Sequence, residues 1–97
     1  MNYKIINKTL YICDKWGNTG RRISENVSFG TFDDATSNFL VTKTDGKVEL
    51  KDLNGSVRRV LSNDGVEARF QGNDIIIRKK DGKTCIVDIY GNIQRWM

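Results

Sequence analysis

The sequence predicts an all-β protein made of three antiparallel, hairpin-rich units, and three features carry that reading. Short runs of β-branched and other apolar residues alternate with Asp-Gly, Asn-Gly and related pairs that favour tight hairpin turns. No segment shows the 3.6-residue apolar period of an amphipathic helix. Nearly the same phrase occurs three times in 97 residues: WGNTGRRI from Trp16, LNGSVRRV from Leu53 and YGNIQRWM from Tyr90. Nine Gly and no Pro suit turns that need positive φ better than long loops.

A chain of this length predicts one domain with one modest core. Shifted by 36 residues, segment 38–61 falls on segment 74–97 without a gap, and Lys43, Asp45, Gly46, Lys47, Asp52, Gly55 and Arg59 meet identical residues. The N-terminal segment joins with a shorter first turn. All three units then share Asp, two residues, Gly, three residues, Arg: Asp14, Gly17, Arg21; Asp52, Gly55, Arg59; Asp88, Gly91, Arg95. Spacings of 38 and 36 are periods that mark repeat architectures. The units are placed at about 1–25, 26–63 and 64–97.

In chain order, the first unit offers strands at 3–6, 9–13 and 19–23. The second offers 26–32, 39–44, 47–52 and 57–61, turning at Asp45-Gly46 and Asn54-Gly55. The third offers 66–70, 74–80, 83–88 and 92–96, turning at Asp81-Gly82 and Tyr90-Gly91. With a two-residue turn at Tyr90-Gly91, Ile93 stands opposite Asp88 and Arg95 opposite Ile86. That makes Asp88 and Arg95 diagonal neighbours within reach of one another. Asp14–Arg21, Asp52–Arg59 and Asp88–Arg95 are therefore expected as ion pairs that pin hairpin register, with a thrice-repeated ligand site as the sharper alternative. The second strands of the two complete units are apolar on both faces, Phe39-Leu40-Val41 and Ile75-Ile76-Ile77, so both faces should be covered. Four-stranded units stacked face to face would do this, as in propeller blades, and so would a sandwich.

The run VEARFQGNDIIIRKKDGKTCIVDIYGNIQR resembles the blade-like units of small bacterial and phage-associated β-repeat proteins, and more loosely WG-type repeats. The resemblance covers residues 26–97 well and 1–25 poorly. It implies a β-propeller-like or curled sheet and an interaction scaffold, with no activity. The Gly-His and Trp-Asp signature of WD-type propellers is missing. Three units are fewer than the four to eight blades of closed propellers, and an open end leaves an edge for another chain. The expectation is closure by self-association, most simply a homodimer of six blades. A monomeric rolled sheet is the alternative.

Net charge is +4, with five basic and one acidic side chain in residues 1–24. The chain lacks His, which removes His-based triads and most zinc sites. Cys13 and Cys85 stand 72 positions apart, too isolated for a zinc or redox motif, and are expected as packed thiols in a reducing compartment. No apolar run approaches the ~20 residues of a membrane helix, and the N-terminus does not read as a secretory signal. A cytoplasmic, non-enzymatic protein without metal or cofactor is expected. Asp33 and Asp34 fit a local turn cap better than a metal site. The candidate interaction residues are Arg22, Arg58, Arg78, Lys79, Lys80 and Lys83 with Trp16, Tyr90 and Trp96. The leading expectation is a protein-interaction module or scaffold that binds itself and an unidentified protein partner. A nucleic-acid-binding protein using the basic hairpin face with its interleaved aromatics is the alternative, and a small-ligand binder using pockets between blades comes third.

Overall fold

The computed structural model describes residues 2–97. It holds eleven strands and, among the described residues, no helix: β1 (Asn2–Ile6), β2 (Thr9–Cys13), β3 (Thr19–Ser24), β4 (Val27–Asp33), β5 (Asn38–Lys43), β6 (Val48–Lys51), β7 (Val57–Ser62), β8 (Gly65–Gln71), β9 (Asp74–Lys79), β10 (Thr84–Val87) and β11 (Ile93–Trp96). They form three antiparallel sheets, each a simple meander of consecutive strands: β1–β3, β4–β7 and β8–β11. No sheet closes on itself.

The hairpins follow from local chemistry. Asn7 and Lys8 join β1 to β2 with φ of 49° and 62°, the two-residue turn whose twist matches paired strands. Five other hairpins use one design: a three-residue loop ending in Gly. In the loop after Asp88, the Gly91 N–H donates to the Asp88 carbonyl at 3.1 Å and the Asp88 N–H to the Asn92 carbonyl at 3.0 Å. The same two bonds recur around Asp14, Lys43, Asp52 and Lys79. Gly91 sits at φ 87°, which a side chain would strain. The expected two-residue turn at Tyr90-Gly91 is thus a three-residue loop. The extra residue sets Ile93 opposite Val87 rather than Asp88, and a bulge then restores Arg95 opposite Ile86.

Two cores lie between the sheets. Leu10 and Ile23 of the first sheet pack with Val27, Phe39 and Val41 of the second, with Tyr3, Ile12, Phe32 and Leu53 at the margin. Leu40, Val48, Leu50 and Leu61 of the second pack with Ala68, Ile75, Ile77, Cys85 and Val87 of the third. Alternation along β5 sends Phe39 and Val41 one way and Leu40 the other, so the second sheet is covered on both faces. The third sheet is covered on one. Ile75 and Ile77 are fully buried, whereas Ile76 points to the free face and is half-buried. The expectation that both faces of this strand would be covered therefore fails within the single chain.

The sheets are also stitched along one end of the stack. Lys43 donates to the Ser24 hydroxyl and the Glu25 carbonyl. Lys79 donates to the Ser62 hydroxyl at 2.9 Å and the Asp64 carboxylate at 2.8 Å. Each lysine clamps the link through which the chain enters its sheet.

Candidate interaction cleft

The opposite end of the stack carries the loops 14–18, 52–56 and 88–92, and with them Trp16 and Tyr90. The loops are held by their first residue. The Asp88 carboxylate accepts the N–H groups of Tyr90 and Asn92 at 2.9 Å each, and the side-chain amides of Asn92 and Gln94 at 3.2 Å each. Asp14 accepts the N–H groups of Trp16 and Asn18 and the Asn18 side-chain amide in the same way. Asp52 accepts those of Asn54 and Ser56. These donors favour the ionised form. The N–H groups of Asn18, Ser56 and Asn92 are the main reason that Asp14, Asp52 and Asp88 sit below the usual carboxylate range.

The expected ion pairs do not form. Among the described residues no ion pair joins Asp14 to Arg21, Asp52 to Arg59 or Asp88 to Arg95. The carboxylates are spent on their own loops. Arg59 crosses instead to the next sheet, donating to the Tyr90 carbonyl at 3.5 Å with its guanidinium 5.3 Å from the centre of the Tyr90 ring. Arg58, its neighbour, helps to depress Asp52.

Arg59 and Tyr90 line a cleft of about 210 Å³ between the second and third sheets, with Asn38, Leu50, Arg58 and Ile89. The buried Asn38 Oδ1 lacks a hydrogen-bond partner. Ile89 also borders a neighbouring hollow of about 190 Å³ under the loop after β4. There the Asp33 carboxylate accepts the Ala35 N–H at 3.3 Å and the Thr36 hydroxyl at 2.7 Å, a local cap. A third cleft, about 300 Å³, opens on the free face of the third sheet between Gln71, Asp74, Ile86, Gln94 and Arg95.

The basic candidates do not gather into one face. Arg22 pairs with Glu25 at 2.6 Å, Arg78 with Glu67 at 3.5 Å and Lys79 with Asp64 at 2.8 Å. Lys80 donates to the Asp45 carbonyl at 3.1 Å, and Lys83 lies in the same loop cluster, at the far end of the strands from Arg58 and Arg59. Trp16, Tyr90 and Trp96 are 76, 61 and 53% exposed. Trp96, at the end of β11, lies with the lysine-bearing loops and apart from the other two. Cys85 is buried, which pushes its thiol pKa up; Cys13 is half-buried, and both are free thiols. No group of three metal-ligating side chains occurs among the described residues, and they include no helix long and apolar enough to cross a membrane.

Sequence reasoning singled out Arg58, Arg59 and Tyr90 but missed Asn38, Ile89, Asp74 and Gln71. The signal was present for Asn38 and Asp74, which the 36-residue shift superposes. No protein-family model matches the chain, and a search of curated proteins finds no match.

Proposed function

We propose that the chain is a non-enzymatic protein-interaction module, propeller-like in the stacking of its sheets, that self-associates through the open end of the stack. One observation carries this reading. No further sheet stacks on the face of the third sheet that carries Ile76, half-buried, and Ile86, buried among the side chains of its own sheet, whereas the corresponding face of the second sheet, with Leu40 and Leu50, is buried against its neighbour. A sheet face left without a stacking partner, where the equivalent face of the neighbouring sheet has one, favours association. The likeness to blade-like scaffold repeats points the same way, and the two free thiols fit a reducing, cytoplasmic setting. The nucleic-acid alternative has less support, because Arg22, Arg78 and Lys79 are each tied to a carboxylate.

Sedimentation equilibrium across low to high micromolar concentration tests the reading. The expected result is a mass of two chains or more at the upper end. A mass of one chain throughout would overturn it.

A further inference from the structure

The clefts on the second and third sheets are the same construction, once walled by the loop of a following sheet and once without that wall. In the walled one, Asn38, Leu50, Arg58 and Arg59 face Ile89 and Tyr90 from the loop of the next sheet. Moving 36 positions along the chain turns the first four into Asp74, Ile86, Gln94 and Arg95, and these four, with Gln71, line the open cleft. The third sheet thus keeps the socket that the second uses, and has no following sheet in the chain to wall it.

A matching plug stands at the other end of the stack. The loop from Asp14 to Asn18 has the same backbone and carboxylate bonds as the loop from Asp88 to Asn92. Lys15 and Trp16 occupy the places of Ile89 and Tyr90. Trp16 is 76% exposed. Plug and socket cannot meet within one chain, because the second sheet lies between the first and the third.

The two halves also differ from the internal pair in complementary ways. Where the walled socket has neutral Asn38 across from apolar Ile89, the open socket offers Asp74 and the free plug offers Lys15. Where Arg59 meets Tyr90, Arg95 would meet Trp16, the aromatic ring that holds a guanidinium best. We infer that the cleft around Asp74 and Arg95 is the docking site for the Lys15–Trp16 loop of a second copy of this chain, in a head-to-tail arrangement. Arg95 donates to the Trp16 carbonyl and stacks on its ring, as Arg59 does with Tyr90. Lys15 swings from its resting place, 4.5 Å from the Trp16 ring centre, to reach Asp74. Repeated head to tail, the contact closes into a ring of two copies or continues as a longer assembly, as the rotation per copy dictates.

This inference rests on the self-association proposed above, and the test separates the two. Mass is measured by sedimentation equilibrium for the full chain and for Lys15→Asp, Asp74→Lys, Trp16→Ala and the Lys15→Asp/Asp74→Lys double variant. All these side chains lie outside both cores, and circular dichroism checks that each variant is folded. The expected result is that each single substitution weakens association by about tenfold or more, while the double variant recovers at least half of the loss on a logarithmic scale. Association that none of the substitutions alters would overturn the docking site and leave self-association standing on another surface. A single-chain mass for the unaltered protein would overturn both.

Discussion

At the scale of single residues, the aspartates that open the loops do more than their exposure suggests. Asp14, Asp52 and Asp88 each satisfy two loop N–H groups that hairpin geometry leaves unpaired. Their folded pKa values lie below the ordinary carboxylate value, Asn18, Ser56 and Asn92 respectively contributing most. A depressed carboxylate favours the fold when ionised, so its contribution is complete above ~pH 4 and is lost as pH falls through the lower, folded value. The melting temperature is therefore expected to fall on acidification below pH 4. In Asp52→Asn and Asp88→Asn that acid-induced fall should be shallower, with lower stability at pH 7. Melting curves from pH 7 to 2 check this, and an acid profile identical to the parent's would refute it. Gly46 is a different case. Its φ is 102°, and a Cβ there would lie 2.7 Å from the Asn63 carbonyl oxygen. Gly46→Ala is expected to cost about 1–3 kcal/mol in urea unfolding, and a loss under 0.5 kcal/mol would show that the loop yields.

At the scale of elements, the second sheet holds charges where the third holds apolar groups. Glu49 and Lys51 of β6 correspond to Cys85 and Val87 of β10. Both charged side chains are about nine-tenths buried, with Lys51 Nζ 3.9 Å from Glu49 Oε1, and Lys51 also donates to the Ile23 carbonyl at 3.3 Å. Burial depresses the Lys51 pKa, and Lys43 adds to the effect against the opposing pull of Glu49. Glu49 Oε1 has no hydrogen-bond partner. An under-satisfied buried pair is a weak source of stability. The Glu49→Cys/Lys51→Val double variant, which copies β10, is therefore expected to be neutral or more stable by about 1–4 kcal/mol. Glu49→Ala alone, leaving Lys51 buried without its counter-charge, should cost about 3 kcal/mol. Urea unfolding of the three proteins decides; a double variant less stable than either parent chain or single variant would show that the pair is net favourable.

At the scale of the molecule, the second sheet contributes to both cores, so the stack should unfold as a unit. Local unfolding of one end sheet would still leave the other packed. Phe39 touches Tyr3 edge-on, with ring centres 5.9 Å apart, and Phe32 at 4.7 Å, and it lies wholly in the core shared with the first sheet. Phe39→Ala is expected to cost about 3–5 kcal/mol. The whole stack should feel it, so amide exchange should accelerate in β10 as well as in β2. Faster exchange confined to β1–β3 would show that the first sheet opens independently.

Much of this architecture was legible in the chain itself. The eleven strands were signalled by runs of β-forming residues and the glycine-ended loops by their Asp-Gly, Asn-Gly and Tyr-Gly pairs, because these depend on neighbours in sequence, whereas the turn at Asn7-Lys8 carries no such pair. The 36-residue shift even held the correspondence between Asn38 and Asp74. The register of the last hairpin was not legible: two- and three-residue loops share the same Tyr-Gly signal, and hydrogen bonding by Asp88 selects between them. Nor was the role of the repeated arginine. Asp88 and Arg95 are complementary charges at a plausible diagonal, yet the carboxylate is taken by its loop, and Arg59 of the preceding sheet reaches Tyr90 across a gap of 31 positions. The sequence by itself determined the all-β class, the three hairpin-rich units and the position of the glycine-ended turns, since period and turn residues are local properties. Only tertiary structure decided which faces are covered and which arginine meets which ring. Those depend on how one sheet is stacked on the next, and no local pattern encodes that.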